Sequence, residues 1–186
     1  MKPRRLFRVF PWLENAKADE PGHPLHINAQ QGSGRVDNPD HYLVLYASDV
    51  PVGAIGEAFG NMAIWSPGLL AGPPILPGSQ RALATYEVGE TEVLDLDDPH
   101  SLVERSLRPS RVVTRERAVT QHWAMSIHSD GRWGGVRWWS YHCPEWGSFG
   151  IWDRDRVEVS EVRPLVSEMG LVQEASLTLN RPWKGQ

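Results

Sequence analysis

The chain has 186 residues, 40% of them hydrophobic and 23% charged. That balance fits one globular domain with a sizeable core and excludes a disordered or fibrous protein. A formal net charge of −4 argues against a nucleic-acid binder, because phosphate binding needs a cationic surface, and Lys2, Arg4, Arg5 and Arg8 form the one dense basic group. The lone Cys143 can form no internal disulfide and cannot supply a Cys-rich metal site. After the basic start comes PWLENAKADE instead of an apolar signal segment, and no run reaches membrane-spanning length. The expectation is a soluble cytoplasmic protein without membrane contact.

In chain order, LFRVF (6–10) reads as an opening strand, and residues 11–41 read as a long loop rich in Pro, Gly, Asn and His. YLVLYAS (42–48) has the β-branched and aromatic content of a strand. Asp49 is placed to cap a helix that tolerates Pro51 in its first turn and runs through about Asn61. SPGLLAGPPILPG (66–78) is a Pro/Gly connector. ALATYEV and TEVLDL read as two strands meeting at Gly89, and DDPHSLVERSL as a helix with Pro99 in its first turn. A further helix begins at Thr114 or a neighbour and runs through Ser129. Strands are then expected over 135–140, 149–153, 157–165 and 171–179. The order predicts a single mixed-sheet α/β (α+β) domain with much antiparallel pairing, not a doubly wound sheet.

Familiar catalytic signatures are absent: the sequence contains no P-loop, no GxGxxG after a strand, no HExxH and no GxSxG. His122 and His128 are six apart on the predicted helix and do not share a face, so they read as surface or core residues. His142 and Cys143 would point to opposite sides of a strand, which disfavours a Cys/His nucleophile pair. Nine tryptophans, five of them between Trp133 and Trp152, suit a core and an interface. Chemistry is better served by residues spread along the chain. Arg35 lies in the Gly-rich GSGRVDNP loop, where a guanidinium fork can meet phosphate. Tyr46 ends the following strand, and Glu57 lies on the next helix among Gly56, Ala58 and Gly60, in surroundings that look sterically open. Taken alone, these three read more simply as a turn arginine, a core aromatic and a solvated helix charge.

The stretch GSGRVDNPDHYLVLYASDVPVGAIGEAF nevertheless resembles the first motif of the RES-domain family, named for Arg, Glu and Ser positions. Those positions correspond to Arg35, Glu57 and, in GVRWWS, Ser140, with Tyr46 as the tyrosine grouped with them. The run from RPSRVVTRERAV to WGSFGIWD is similar to the family's second half, so order and spacing agree over about residues 5–165 of the single domain 1–186. Two departures stand out. Val36 follows Arg35 where an aromatic is common, and DNPD replaces a glycine-containing turn.

The resemblance implies a fold like that of the ADP-ribosyltransferases and a toxin that consumes NAD by breaking the nicotinamide–ribose bond, through hydrolysis or phosphorolysis. It implies catalytic roles for Glu57, Arg35 and Tyr46. Glu57 would stabilise the oxocarbenium-like centre or bind a ribose hydroxyl, Arg35 would pair with phosphate, and Tyr46 would pack on nicotinamide or orient the ribose. Ser140, with Arg35 and Tyr46, would bind substrate. NAD is then a substrate and not a cofactor, inorganic phosphate is a co-substrate for phosphorolysis, and no metal is required. The implied partner is a small Xre-type antitoxin, in a toxin–antitoxin hetero-oligomer or beside a homodimer, and DNA contact would belong to the antitoxin. Two other readings remain open: an ADP-ribosyltransferase with a protein acceptor, and an inactive binding module.

Overall fold

A computed structural model describes residues 4–184, so Lys2 of the basic group lies outside the described residues. In β1 (Arg4–Trp12) the alternation Leu6, Arg8, Phe10 against Phe7, Val9 sends two apolar rows to opposite sides of the sheet. This strand pairs along its whole length with β3 (Gln80–Val88), from Arg4 opposite Val88 to Trp12 opposite Gln80. β3 in turn pairs with β7 (Val157–Pro164), with an irregularity between Thr85 and Tyr86. The remaining strands are β2 (Leu45–Ser48), β4 (Val93–Asp95), β5 (Gly135–Trp139) and β6 (Gly147–Ile151). The seven-stranded order is β4-β5-β6-β2-β1-β3-β7, parallel only between β4 and β5. The chain is therefore an α+β domain built on one mixed sheet.

The two halves of that sheet meet weakly. β1 and β2 share one registered pair, Phe7 with Ser48, whereas β2 pairs with β6 along all four of its residues. Past Phe7 and Ser48 the strands separate, and the gap becomes the site described below.

Helix α1 (Pro51–Phe59) and helix α5 (Met169–Thr178) pack on the Phe7, Val9 and Leu83 side of the sheet around the fully buried Trp65. Helices α2 (Pro99–Glu104), α3 (Pro109–Val112) and α4 (Arg117–Ser129) gather over β4 and β5, with Leu102, Val112, Trp123 and Ile127 as their core residues. Among the described residues no helix is long and apolar enough to cross a membrane.

Several expectations need correction. The strand expected over 171–179 is α5: Val172, Ala175 and Ser176 are the buried positions, a spacing of three and four that belongs to a helix, while Leu177 is exposed. The strand expected from Tyr42 is ordered as β2 only from Leu45. The Gln31 side-chain amide takes both the N–H and the C=O of Val44, at 2.8 Å each, and so replaces ladder bonds. Asp49 does not cap α1, whose N-cap is Val50; its carboxylate instead accepts the Gly147 N–H at 2.8 Å and faces Arg137. The strands near Gly89 do not pair with each other, since β4 lies at the far edge and the Gly89 N–H reaches Arg156. Ser140, His142 and Cys143 follow β5 in a turn and are not on a strand. The Pro99 helix starts as expected, and its N-cap is Asp98, whose carboxylate accepts the His100 N–H.

His128, at the end of α4, stacks on Tyr42 with 4.3 Å between ring centroids and meets the Trp152 edge. Burial lowers its pKa from the ordinary 6.5, and His41 adds like-charge repulsion. The unfolded chain then binds this proton more readily than the folded one. The stability His128 contributes is intact above its unfolded pKa and is lost as pH falls below it toward the lower folded value. Thermal unfolding should therefore show a Tm that drops between about pH 7.5 and about pH 5.5. His128→Phe should flatten that drop; an unchanged slope would exclude His128 as its source.

Candidate active site

Where β1 and β2 part, a cavity of about 300 Å³ opens between Phe7, Arg8 and Val9 on one side and Tyr46, Ala47 and Ser48 on the other. Helix α1 closes one end with Glu57, and Gly34, Trp138 and Ser148 complete the wall. Among the described residues Glu57 is the one carboxylate lining it, and it is solvent-exposed.

Two hydroxyls hold Glu57. Ser140 Oγ donates to Oε1 at 2.5 Å, and Ser148 Oγ donates to the same oxygen at 3.2 Å. No protein hydrogen bond reaches Oε2 among the described residues, which leaves that oxygen for a ligand. Ser140 is itself buried and anchored. Its hydroxyl accepts the N–H of His142 at 3.1 Å and that of Cys143 at 3.5 Å, so it ties the turn after β5 to α1. Ser140 does not line the cavity, whereas Ser148, on β6, does. The small residues beside Glu57 do not leave open space. A Cβ on Gly56 would lie 2.3 Å from Trp146 Cζ3, and one on Gly60 would lie 2.7 Å from the His142 ring. They are small because α1 seats directly on those rings.

Tyr46 lines the cavity with its ring, edge-on to Trp138 at 6.4 Å, and turns its hydroxyl into the protein. That hydroxyl donates to Asp37 Oδ1 at 2.6 Å and accepts the Val36 N–H at 3.0 Å. Burial, and then the Asp37 hydrogen bond, push its pKa well above the ordinary tyrosine value, so it stays a phenol. Asp37 Oδ2 also accepts the Gly34 N–H at 2.6 Å. The two departures from the family pattern are therefore structural parts of the site: Val36 is fully buried, and Asp37 clamps the Gly-rich loop to Tyr46.

Arg35 sits within electrostatic reach of Glu57 and Tyr46. Its Nη1 donates to the carbonyls of Val112 at 2.7 Å and Thr114 at 2.9 Å, tying the loop to the start of α4. Burial and the neighbouring Arg117 lower its pKa, while Glu57 opposes them. Of the four residues, Tyr46 and Glu57 line the cavity; Ser140 stands behind Glu57 through its hydrogen bond, and Arg35 does not line the cavity but lies within electrostatic reach of Glu57. Sequence reasoning missed Ser148, Asp37 and Arg8. Ser148 and Asp37 carry no local signal, and Arg8 could have been found only as a charge inside an otherwise apolar strand. Among the described residues no cluster of His, Cys, Asp and Glu has metal-binding geometry.

A split mixed sheet with a serine-anchored glutamate at the split is the class of site this fold defines. The family model of the RES domain matches residues 5–179, and the chain belongs to the RES-domain family. Its structure is similar to one solved in the M. tuberculosis MbcT–MbcA toxin–antitoxin complex, at 14% sequence identity and a TM-score of 0.64, over 92% of this chain and 90% of that one. A comparison with curated proteins gives no match.

Tyr46→Phe should leave the buried Asp37 without its hydroxyl partner and the Val36 N–H without an acceptor. The expected loss is about 1–3 kcal/mol of stability, measured by urea unfolding. A variant as stable as the parent would show that Asp37 does not depend on Tyr46.

Proposed function

We propose that the protein cleaves the nicotinamide–ribose bond of NAD, and that it does so as the toxin of a toxin–antitoxin pair. The observation that carries this reading is the Glu57 carboxylate, presented at the cavity with one oxygen fixed by Ser140 and Ser148.

The chemistry makes modest demands. Nicotinamide leaves as a neutral base when the C–N bond electrons return to its cationic ring, so no strong general acid is needed. What must be stabilised is the positive charge that grows on the ribose carbon. A preorganised carboxylate does this best where it need not reorient during the reaction, which is the service the two serines perform. Oε2 of Glu57 faces the developing charge or takes a ribose hydroxyl. Tyr46 offers its ring as a packing surface for nicotinamide, because its hydroxyl is committed to Asp37. In this reading Ser140 is a positioning residue, and Arg35 supplies positive charge beside Glu57 for a substrate phosphate. Water adds to the ribose carbon to give ADP-ribose with release of a proton, or phosphate adds to give ADP-ribose 1″-phosphate. The toxin part of the reading rests on family membership and on the fold shared with a chain of the MbcT–MbcA complex. An Xre-type antitoxin is the proposed partner.

Purified protein should release nicotinamide from NAD, and Glu57→Gln should slow that release by about 10²–10³-fold with its fold intact by circular dichroism. Assays with and without inorganic phosphate identify the acceptor from the product. Folded protein that releases none under either condition would refute the cleavage. For the toxin role, expression of the protein alone should arrest growth and Glu57→Gln should not; normal growth with the active protein present would count against it.

A further inference from the structure

Arg8 lines the first cavity and also a second one, of about 570 Å³. Phe10 and Pro11 of β1, the loop around His23 to Gln30, and the Pro73–Leu76 connector form its walls. We propose that this cavity binds the adenosine half of the dinucleotide and that Arg8, shared by both linings, pairs with its diphosphate. The inference rests on the NAD reading above and assigns the part of the substrate that Glu57 does not touch.

Three features argue for a nucleoside here. The first is charge order from one cavity to the other. Among the described residues the first cavity holds one carboxylate, Glu57, Arg8 is shared by the two linings, and the second cavity has no carboxylate. A molecule that is cationic at one end, anionic in the middle and neutral at the other matches that sequence of charges. The second is Ile75. It is 91% exposed and lines this cavity with Pro73 and Leu76, and apolar side chains lining a concave site can cover the face of a flat ring. The third is polar capacity. The Asn28 side chain accepts the Gln30 N–H through Oδ1, and among the described residues its Nδ2 and the Gln30 side-chain amide make no protein hydrogen bond. Both can meet ring nitrogens or ribose hydroxyls.

The wall is held in place from the strand side. Arg8 Nη1 reaches the carbonyls of His26 and Pro24 at 3.4 and 3.5 Å, the outer limit for such bonds, while Tyr86 donates to the Pro24 carbonyl at 2.7 Å. Arg8 also hydrogen-bonds the Tyr86 side chain, and the rest of its five guanidinium N–H groups are there to offer a diphosphate while Tyr86 keeps the loop anchored.

The test uses AMP as a probe of this half and nicotinamide mononucleotide as a substrate that lacks it. AMP should bind the purified protein in calorimetry and should inhibit NAD cleavage competitively. Ile75→Asp should weaken AMP and raise KM for NAD by about tenfold, with kcat and the KM for nicotinamide mononucleotide held. Because Ile75 is exposed, this variant keeps the fold. Arg8→Gln should weaken AMP more than adenosine. If AMP does not bind while NAD is cleaved, the adenosine site is wrong and the cleavage reading stands. If AMP binds and Ile75→Asp weakens it but neither dinucleotide nor mononucleotide is cleaved, the site stands and the cleavage reading falls. If Ile75→Asp affects both substrates equally, or AMP not at all, the assignment is overturned.

Discussion

Ser48 opposite Phe7 is the one registered pair between the two halves of the sheet, and the rest of the molecule is arranged around what that single pairing leaves open. A fully paired sheet has no cavity at its centre, because neighbouring strands lie less than ~5 Å apart. Here β1 continues into its nine-residue ladder with β3, and β2 turns away into its ladder with β6. Each strand keeps its backbone satisfied on one side, so the parting costs only the bonds between them. The gap is then walled by side chains from both faces: α1 supplies Glu57 from one, and β1 supplies Arg8 from the other.

Holding such a gap open requires ties that do not run through the sheet, and the loop from residue 13 to residue 44 supplies many of them through side chains. Gln31 replaces strand bonds at Val44, Asp37 joins Gly34 to Tyr46, and Arg35 and Gln121 tie the loop to the α3–α4 region. A long segment without helix or strand inside a domain is costly in entropy unless something fixes it. Here polar side chains facing backbone add to the buried Ile27, Val36, Tyr42 and Val44 and to the loop's own backbone hydrogen bonds, so a stretch poor in regular structure still forms a defined wall. Arg8, which lines the Glu57 cavity, and Arg35, within electrostatic reach of Glu57, bond backbone carbonyls and, for Arg8, the Tyr86 side chain. Neither is paired with a carboxylate by a salt bridge among the described residues.

Glu57 shows how exposure and order combine in one residue. An exposed carboxylate on a helix is ordinarily mobile, and its position would contribute little to a reaction. The Ser140 and Ser148 hydroxyls remove that freedom, and Gly56 and Gly60 let α1 approach Trp146 and His142 closely enough for the serines to reach. Packing between small residues and rings thus decides the placement of a charge, which is where folding energetics and the proposed chemistry meet.

The sequence by itself determined the class of fold, the strand character of residues 6–10 and 82–88 and the long loop, because periodicity and turn chemistry are local properties; Arg35, Tyr46, Glu57 and Ser140 stood out only through the resemblance to a linear family motif. Even there it misled where a short apolar run suits either state, as in α5, and where a side chain took over backbone bonds, as Gln31 does at Val44. Tertiary structure alone decided that Ser148 joins Ser140 on Glu57, 91 and 83 residues away in the chain, that Tyr46 spends its hydroxyl on Asp37, and that Arg8 lines two cavities. These are contacts between groups distant in sequence, and each exists only because two strands that could have paired throughout pair once and then separate.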